Sequence, residues 1–117
     1  MHELSITQSI LNIALETAER EGAKRINEIK ITLGEMTGCV PQYIQEYFDI
    51  VSESTIAHGA RLVFTRVPAI AKCLDCGKET HLIRFRFRCE SCGSQKLTIV
   101  SGKEFLVDSI DIDDQDG

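Results

Sequence analysis

The sequence predicts an α+β fold: two helices packed on a small, mostly antiparallel three-stranded sheet, with an inserted module built on four cysteines. Three observations carry this. Apolar residues recur at helical spacing near the start, they alternate with polar ones over 26–33, and two Cys-x-x-Cys pairs stand between strand-like runs. At 117 residues the chain fits one domain with a small embedded module. Hydrophobic residues make up 43% and charged residues 26%, a globular composition that argues against disorder.

The first helix is expected from the stripe Leu4, Leu11, Ala14, Leu15 and Ala18, widened by Ile6, Ile10 and Ile13. It begins close to the amino terminus and leaves Met1, His2 and Glu3 as a short leader. Gly22 is the expected stop, because glycine accepts the left-handed conformation just past a helix end. Ile29, Ile31 and Leu33 then alternate with Lys30 and Thr32, the pattern of a half-buried strand. Gly34 and Gly38 bracket a loop, and Pro41 suits a first helical position. Ile44, Tyr47, Phe48 and Val51 follow at helical spacing, with Gly59 as the expected end of that helix. Leu62, Val63, Phe64, Val67 and Ile70 read as one strand buried on both faces. Beyond the cysteines, Leu97–Val100 and Glu104–Ile112 read as strand, with Ser101-Gly102 as a turn or bulge. The expected organisation is an α/β part formed by 1–72 with 97–112, a cysteine module at 73–96, and an acidic tail at 113–117.

Net charge is −5, and only residues 73–96 are basic, with 5 basic and 3 acidic groups. Nucleic-acid binders carry a stronger basic footprint, so that class is disfavoured. No apolar run approaches the ~20 residues of a membrane-spanning helix. No basic-then-apolar leader is visible either, which makes a cytoplasmic protein the expectation.

Of five cysteines, four form two pairs of one spacing: Cys73-Leu-Asp-Cys76 and Cys89-Glu-Ser-Cys92, each followed by glycine. Each turn points two thiolates at one spot, and two turns complete a tetrahedron around Zn(II), with Zn–S near ~2.3 Å. Four protein ligands leave no open position, so the site is expected to be structural, in a zinc-ribbon-like module. A redox dithiol or two disulfides are the plainer alternatives. Arg84, Arg86 and Arg88 alternate with Phe85 and Phe87, which suggests one face of a hairpin strand whose charge offsets the thiolates. Cys39 reads as a small buried hydrophobe, and His58 and His81 as surface groups, with a fifth-ligand role for His81 as the sharper alternative.

The start of the chain can chelate a metal. The Met1 amine, the His2 amide nitrogen and the His2 imidazole close a five-membered and a six-membered ring, and the Glu3 amide nitrogen can add a fourth donor. Such a nitrogen-rich, near-planar set suits Ni²⁺ or Cu²⁺. On these residues alone, a solvated histidine is the competing reading. Gly34-Glu-Met-Thr-Gly38 lacks the lysine and spacing of a phosphate loop, and no motif nominates a catalytic residue.

In order along nearly the whole chain, Met1-His2-Glu3-Leu4-Ser5, Ile31-Thr32-Leu33-Gly34-Glu35, Cys73-x-x-Cys76 and Cys89-x-x-Cys92 resemble the hydrogenase nickel-incorporation proteins of the HypA/HybF type. The resemblance implies a nickel metallochaperone rather than an enzyme. Its nickel site would fall on Met1, His2 and Glu3, and its structural zinc site on Cys73, Cys76, Cys89 and Cys92. The cargo would be Ni(II), delivered to the large-subunit precursor of [NiFe]-hydrogenase with a HypB-type GTPase as partner. Some members also serve urease maturation, and a second copy of the chain is a further candidate partner. The resemblance also implies an acidic residue near the loop that here reads Gly38-Cys39-Val40, so Glu35 or another carboxylate would substitute. Two other functions compete: a zinc-ribbon module for nucleic-acid or protein docking, using the arginines, and a small oxidoreductase using Cys39.

Overall fold

The computed structural model describes residues 3–83 and 86–114; Met1, His2, Arg84, Phe85 and residues 115–117 lie outside the described residues. The elements run α1 (Glu3–Arg20), β1 (Arg25–Gly34), a 3-10 turn (Glu35–Thr37), α2 (Pro41–Val51), β2 (Arg61–Val67), β3 (Ile70–Cys73), β4 (Glu79–His81), β5 (Leu97–Ser101) and β6 (Phe105–Asp113). Two helices and two small sheets make the expected α+β fold.

α1 buries Ile6, Thr7, Ile10, Leu11, Ala14 and Ala18, each three or four residues from another of the set. The stripe is therefore centred on Ile10 and Ala14. Leu4 and Ile13, which the sequence reading placed on it, are exposed. The helix closes with the Ala23 N–H on the Ala18 carbonyl and the Gly22 N–H on the Glu19 carbonyl, the paired bonds of a Schellman stop with Gly22 left-handed.

β1 buries Ile29, Ile31 and Leu33 on the face the alternation predicts. Across from it, the Lys24 N–H reaches the Asp113 carbonyl, the Asn27 and Thr32 side chains reach Asp111 and Asp108, and the Gly34 N–H reaches the Glu104 carbonyl. Residue numbers run in opposite directions, so β1 and β6 are antiparallel. The first sheet has the order β2-β1-β6.

α2 packs against α1 and buries Ile44 and Phe48, with Pro41 at its first turn as expected. It ends at Val51, eight residues before Gly59. The reason is local. The Thr55 hydroxyl and N–H both bond the Ser52 carbonyl, and the Ala57 N–H bonds the Thr55 hydroxyl. Ser and Thr here offer the backbone an alternative to the helix.

The strand read from Leu62 to Ile70 is two strands. Pro68 supplies no N–H to a ladder, and β2 stops before it while β3 starts after it in a different sheet. β2 is an edge strand with only Leu62 fully buried, so burial on both faces does not hold. β3 is central in a second sheet of order β4-β3-β5, antiparallel to both neighbours, with a bulge between Ile70 and Ala71 facing β5.

The chain forms two compact units: Met1–Thr32, Gly38–Thr65 and Leu106–Gly117 in one, Leu33–Thr37 and Arg66–Phe105 in the other. The second is wider than the 73–96 segment, because β3 and β5 flank the cysteines and belong to their sheet. Its apolar core is small, with Ala69, Ala71 and Leu82 against Leu97 and Ile99. Within it, Gly34 lies so close to Gly102 that a Cβ would stand 2.0 Å from the Gly102 carbonyl oxygen. Only glycine permits that crossing.

Candidate metal centre

The two cysteine pairs are copies of one turn. The Cys73 N–H bonds the Lys78 carbonyl and the Gly77 N–H bonds the Cys73 carbonyl; the Cys89 N–H bonds the Ser94 carbonyl and the Gly93 N–H bonds the Cys89 carbonyl, all at 2.9 Å. Gly77 (φ +78°) and Gly93 (φ +75°) are left-handed, which is why glycine follows each pair. β3 delivers Cys73 directly, and the Leu74 N–H bonds the Lys96 carbonyl just before β5.

The four sulfurs converge. All lie within 4.8 Å of one another, with Cys73–Cys92 at 3.6 Å and Cys76–Cys89 at 3.5 Å. A disulfide needs ~2.05 Å, so these are separate thiols. A tetrahedron with Zn–S near ~2.3 Å has edges of about 3.8 Å, close to the Cys73–Cys92 and Cys76–Cys89 separations. The donor set is all sulfur, the set expected of a closed structural zinc site. Cys73 and Cys89 are buried, and Cys76 and Cys92 are exposed.

Electrostatics follow the turn geometry. The Cys76 N–H, 3.4 Å from the Cys73 sulfur, and the Asp75 N–H hold the Cys73 thiol below its ordinary value against the opposing effect of burial. The Cys92 and Ser91 N–H groups do the same for Cys89, aided by Cys76 and Thr80, and bring it to about 6. Cys92 receives the Ser94 N–H, but the Cys73 sulfur, desolvation and the other two cysteines outweigh that and push it up to about 12. Cys76 is raised in the same way, with Lys78 N–H lowering it and Cys89, desolvation and Cys73 prevailing.

Contacts that no motif announced support the cluster. The Ser94 hydroxyl donates to the Asp75 carboxylate, tying one turn to the other, and also accepts the Lys96 N–H. The Thr80 hydroxyl, buried on β4, accepts the Glu90 N–H at 3.2 Å. These are ordinary Ser, Thr and Asp residues whose roles arise only when the two turns face each other.

His81 is an exposed residue, as expected, and lies outside the sulfur cluster; its Nε2 is 2.9 Å from Glu35 Oε1. Glu35 also accepts the Ala69 N–H at 2.8 Å. The His81 contact, then the Ala69 bond, lower the Glu35 carboxyl below its ordinary value. Glu35 is thus engaged in the unit that holds the cysteines. Arg86, Phe87 and Arg88 are exposed residues outside any strand, while Arg84 and Phe85 lie outside the described residues. Cys39 is buried at 3% exposure, as a small hydrophobe should be.

At the start of the chain, Glu3 opens α1. Its carboxylate accepts the Val40 N–H at 3.1 Å, and its carbonyl accepts the Thr7 hydroxyl at 2.6 Å. Met1 and His2, the other two expected nickel ligands, lie outside the described residues.

A family model described as hydrogenase/urease nickel incorporation, metallochaperone, HypA matches residues 1–112. The chain belongs to the HypA family. A hydrogenase maturation factor HypA of Caldanaerobacter subterraneus subsp. tengcongensis is 40% identical over 114 residues, spanning 97% of this chain and all of its own. The HypA of Dehalococcoides mccartyi strain 195 is 36% identical over 115 residues, spanning 98% of this chain and 97% of its own. The solution structure of the Ni metallochaperone HypA from Helicobacter pylori superposes with a TM-score of 0.65 at 21% identity, covering 98% of this chain and all of that one. At that identity the likeness establishes the HypA fold. The family is one of metallochaperones that act in nickel incorporation. Among the described residues, no helix is long and apolar enough to cross a membrane.

Proposed function

We propose that this chain carries Ni(II) on Met1, His2 and Glu3 and delivers it to the large-subunit precursor of [NiFe]-hydrogenase. A HypB-type GTPase is its partner, and the setting is cytoplasmic. The observation that carries this reading is the anchoring of Glu3. The Glu3 carboxylate is held by the Val40 N–H, and the residue stands first in α1. Its own N–H therefore belongs to the helix's first turn, whose N–H groups lack intrahelical partners. Loss of that amide proton makes it a nitrogen donor, next in sequence to the nitrogens of Met1 and His2. In this reading residues 1–72 and 97–112 serve nickel, 73–96 serve zinc, and 113–117 are an acidic tail.

Cys73, Cys76, Cys89 and Cys92 hold Zn(II) in the same reading. When bound, that ion supplies a closed cross-link and no coordination position for chemistry. The protein's residues then act as a holder and a carrier. The four thiols fix one unit, and a short donor set at the other unit's helix start binds a cargo ion that must also leave. Copper competes on affinity, so selectivity comes from geometry and metal supply.

The test is His2→Ala, assayed by nickel titration and by metal content. Nickel binding is lost while zinc stays at one ion per chain. Retained nickel affinity in the variant contradicts the assignment.

A further inference from the structure

The apolar arc of α2 is wider than the part of it that the core covers. At about 100° per residue, Ile50, Tyr43 and Tyr47 adjoin Val51, Ile44 and Phe48 around the helix. Ile44 and Phe48 are fully buried, yet Tyr43 is 50%, Tyr47 43% and Ile50 64% exposed. With Val40, also exposed, these residues fall at spacings of three and four along three turns. A neighbouring helix packs against such a stripe. One margin of the stripe carries Glu46, then Glu53 and Asp49. The whole span from Ile31 to Ala60 holds neither Lys nor Arg.

We infer that this face docks an amphipathic helix of a partner protein, apolar on the contacting side and lined with Lys or Arg where it meets Glu46. The charge pattern selects this occupant. A second copy of the chain, paired antiparallel and face to face across a two-fold axis, would bring acidic margins together. An anionic membrane surface would be repelled as well. The stripe begins at Val40, whose N–H is held by Glu3. Docking therefore sits beside the start of α1, and, resting on the nickel reading above, a partner held there is placed to receive or supply the ion.

The test uses the full chain and two fluorescent designed peptides. Both are helical with leucine on one face; one has a lysine margin and the other a glutamate margin. Anisotropy titrations should show the lysine peptide binding and the glutamate peptide not. Tyr47→Ser with Ile50→Ser should weaken the lysine peptide about tenfold or more, as truncation of buried anchors does. Glu46→Lys should shift the preference toward the glutamate peptide. All variants change exposed side chains, and an unaltered melting temperature confirms their fold. Equal binding of the two peptides, or no effect of the stripe variants, overturns the inference. So does a self-association that Ile50→Ser abolishes, which would assign the face to a second copy. Nickel titration of the same variants keeps the two readings apart. Unchanged nickel binding with lost peptide binding supports the dock; lost nickel binding in His2→Ala with intact peptide binding supports both.

Discussion

Cys89 and Cys92 close the same turn yet hold their protons very differently. Cys89 is brought down to about 6 because the Cys92 and Ser91 N–H groups point at its sulfur. Cys92 is pushed up to about 12, the Ser94 N–H being outweighed by neighbouring sulfur. At neutral pH one is a thiolate and the other keeps its proton. Zinc takes only the thiolate, so loading must expel the Cys92 proton. Calorimetry in buffers of different ionisation heat should show at least one proton released per zinc at pH 7. Affinity should fall as pH falls, and more steeply below about 6, where Cys89 also takes up a proton. A loading heat independent of buffer contradicts this proton inventory. The convergence of the four cysteines was legible in the sequence, because spacing and following glycine specify the turn. The unequal protonation was not, since it depends on which sulfur each N–H faces. Nor was the Glu35–His81 contact, which joins residues 46 apart in sequence.

At the scale of elements, period decided what could be read. β1 was plain because Ile29, Ile31 and Leu33 alternate cleanly and all are buried. Wide apolar arcs were harder. On α1 the arc admits several centres, and burial selects Ile10 and Ala14 over Leu4 and Ile13. On α2 the arc exceeds what the core covers, so Phe48 and Tyr47 look alike in sequence and differ in place. Phe48→Ala should cost roughly 3–5 kcal/mol of stability, as full burial of an aromatic implies. Tyr47→Ala, at a position 43% exposed, should cost less than about 1 kcal/mol. Urea unfolding of the two variants checks this, and equal losses would contradict the assignment of the buried face. The boundaries at Val51 and Pro68 were missed because local side-chain bonds and a missing N–H end these elements, and neither interrupts the apolar run.

At the scale of the molecule, the two units are stabilised by different means. One buries Ile6, Ile10, Ile29, Ile31, Ile44 and Phe48 completely. The other has mostly alanine and leucine at its centre, and its sulfur cluster must supply what the small core lacks. Chelation of zinc should therefore raise amide exchange across β3, β4 and β5 while α1 and α2 keep their protection. Uniform loss of protection in both units would contradict this division. The sequence reading drew the cysteine module as 73–96, since only the cysteines mark it. β3 and β5 carry no signature of their own beyond short apolar runs.

A nickel carrier with a fixed zinc rests on a free amine at Met1. Calorimetric nickel titration of zinc-loaded protein, with its native first residue and again with an amino-terminal extension in place, tests this most directly. The account predicts tight binding by the first form, loss of that binding in the second, and unchanged zinc in both. Equal nickel affinities for the two forms would contradict it.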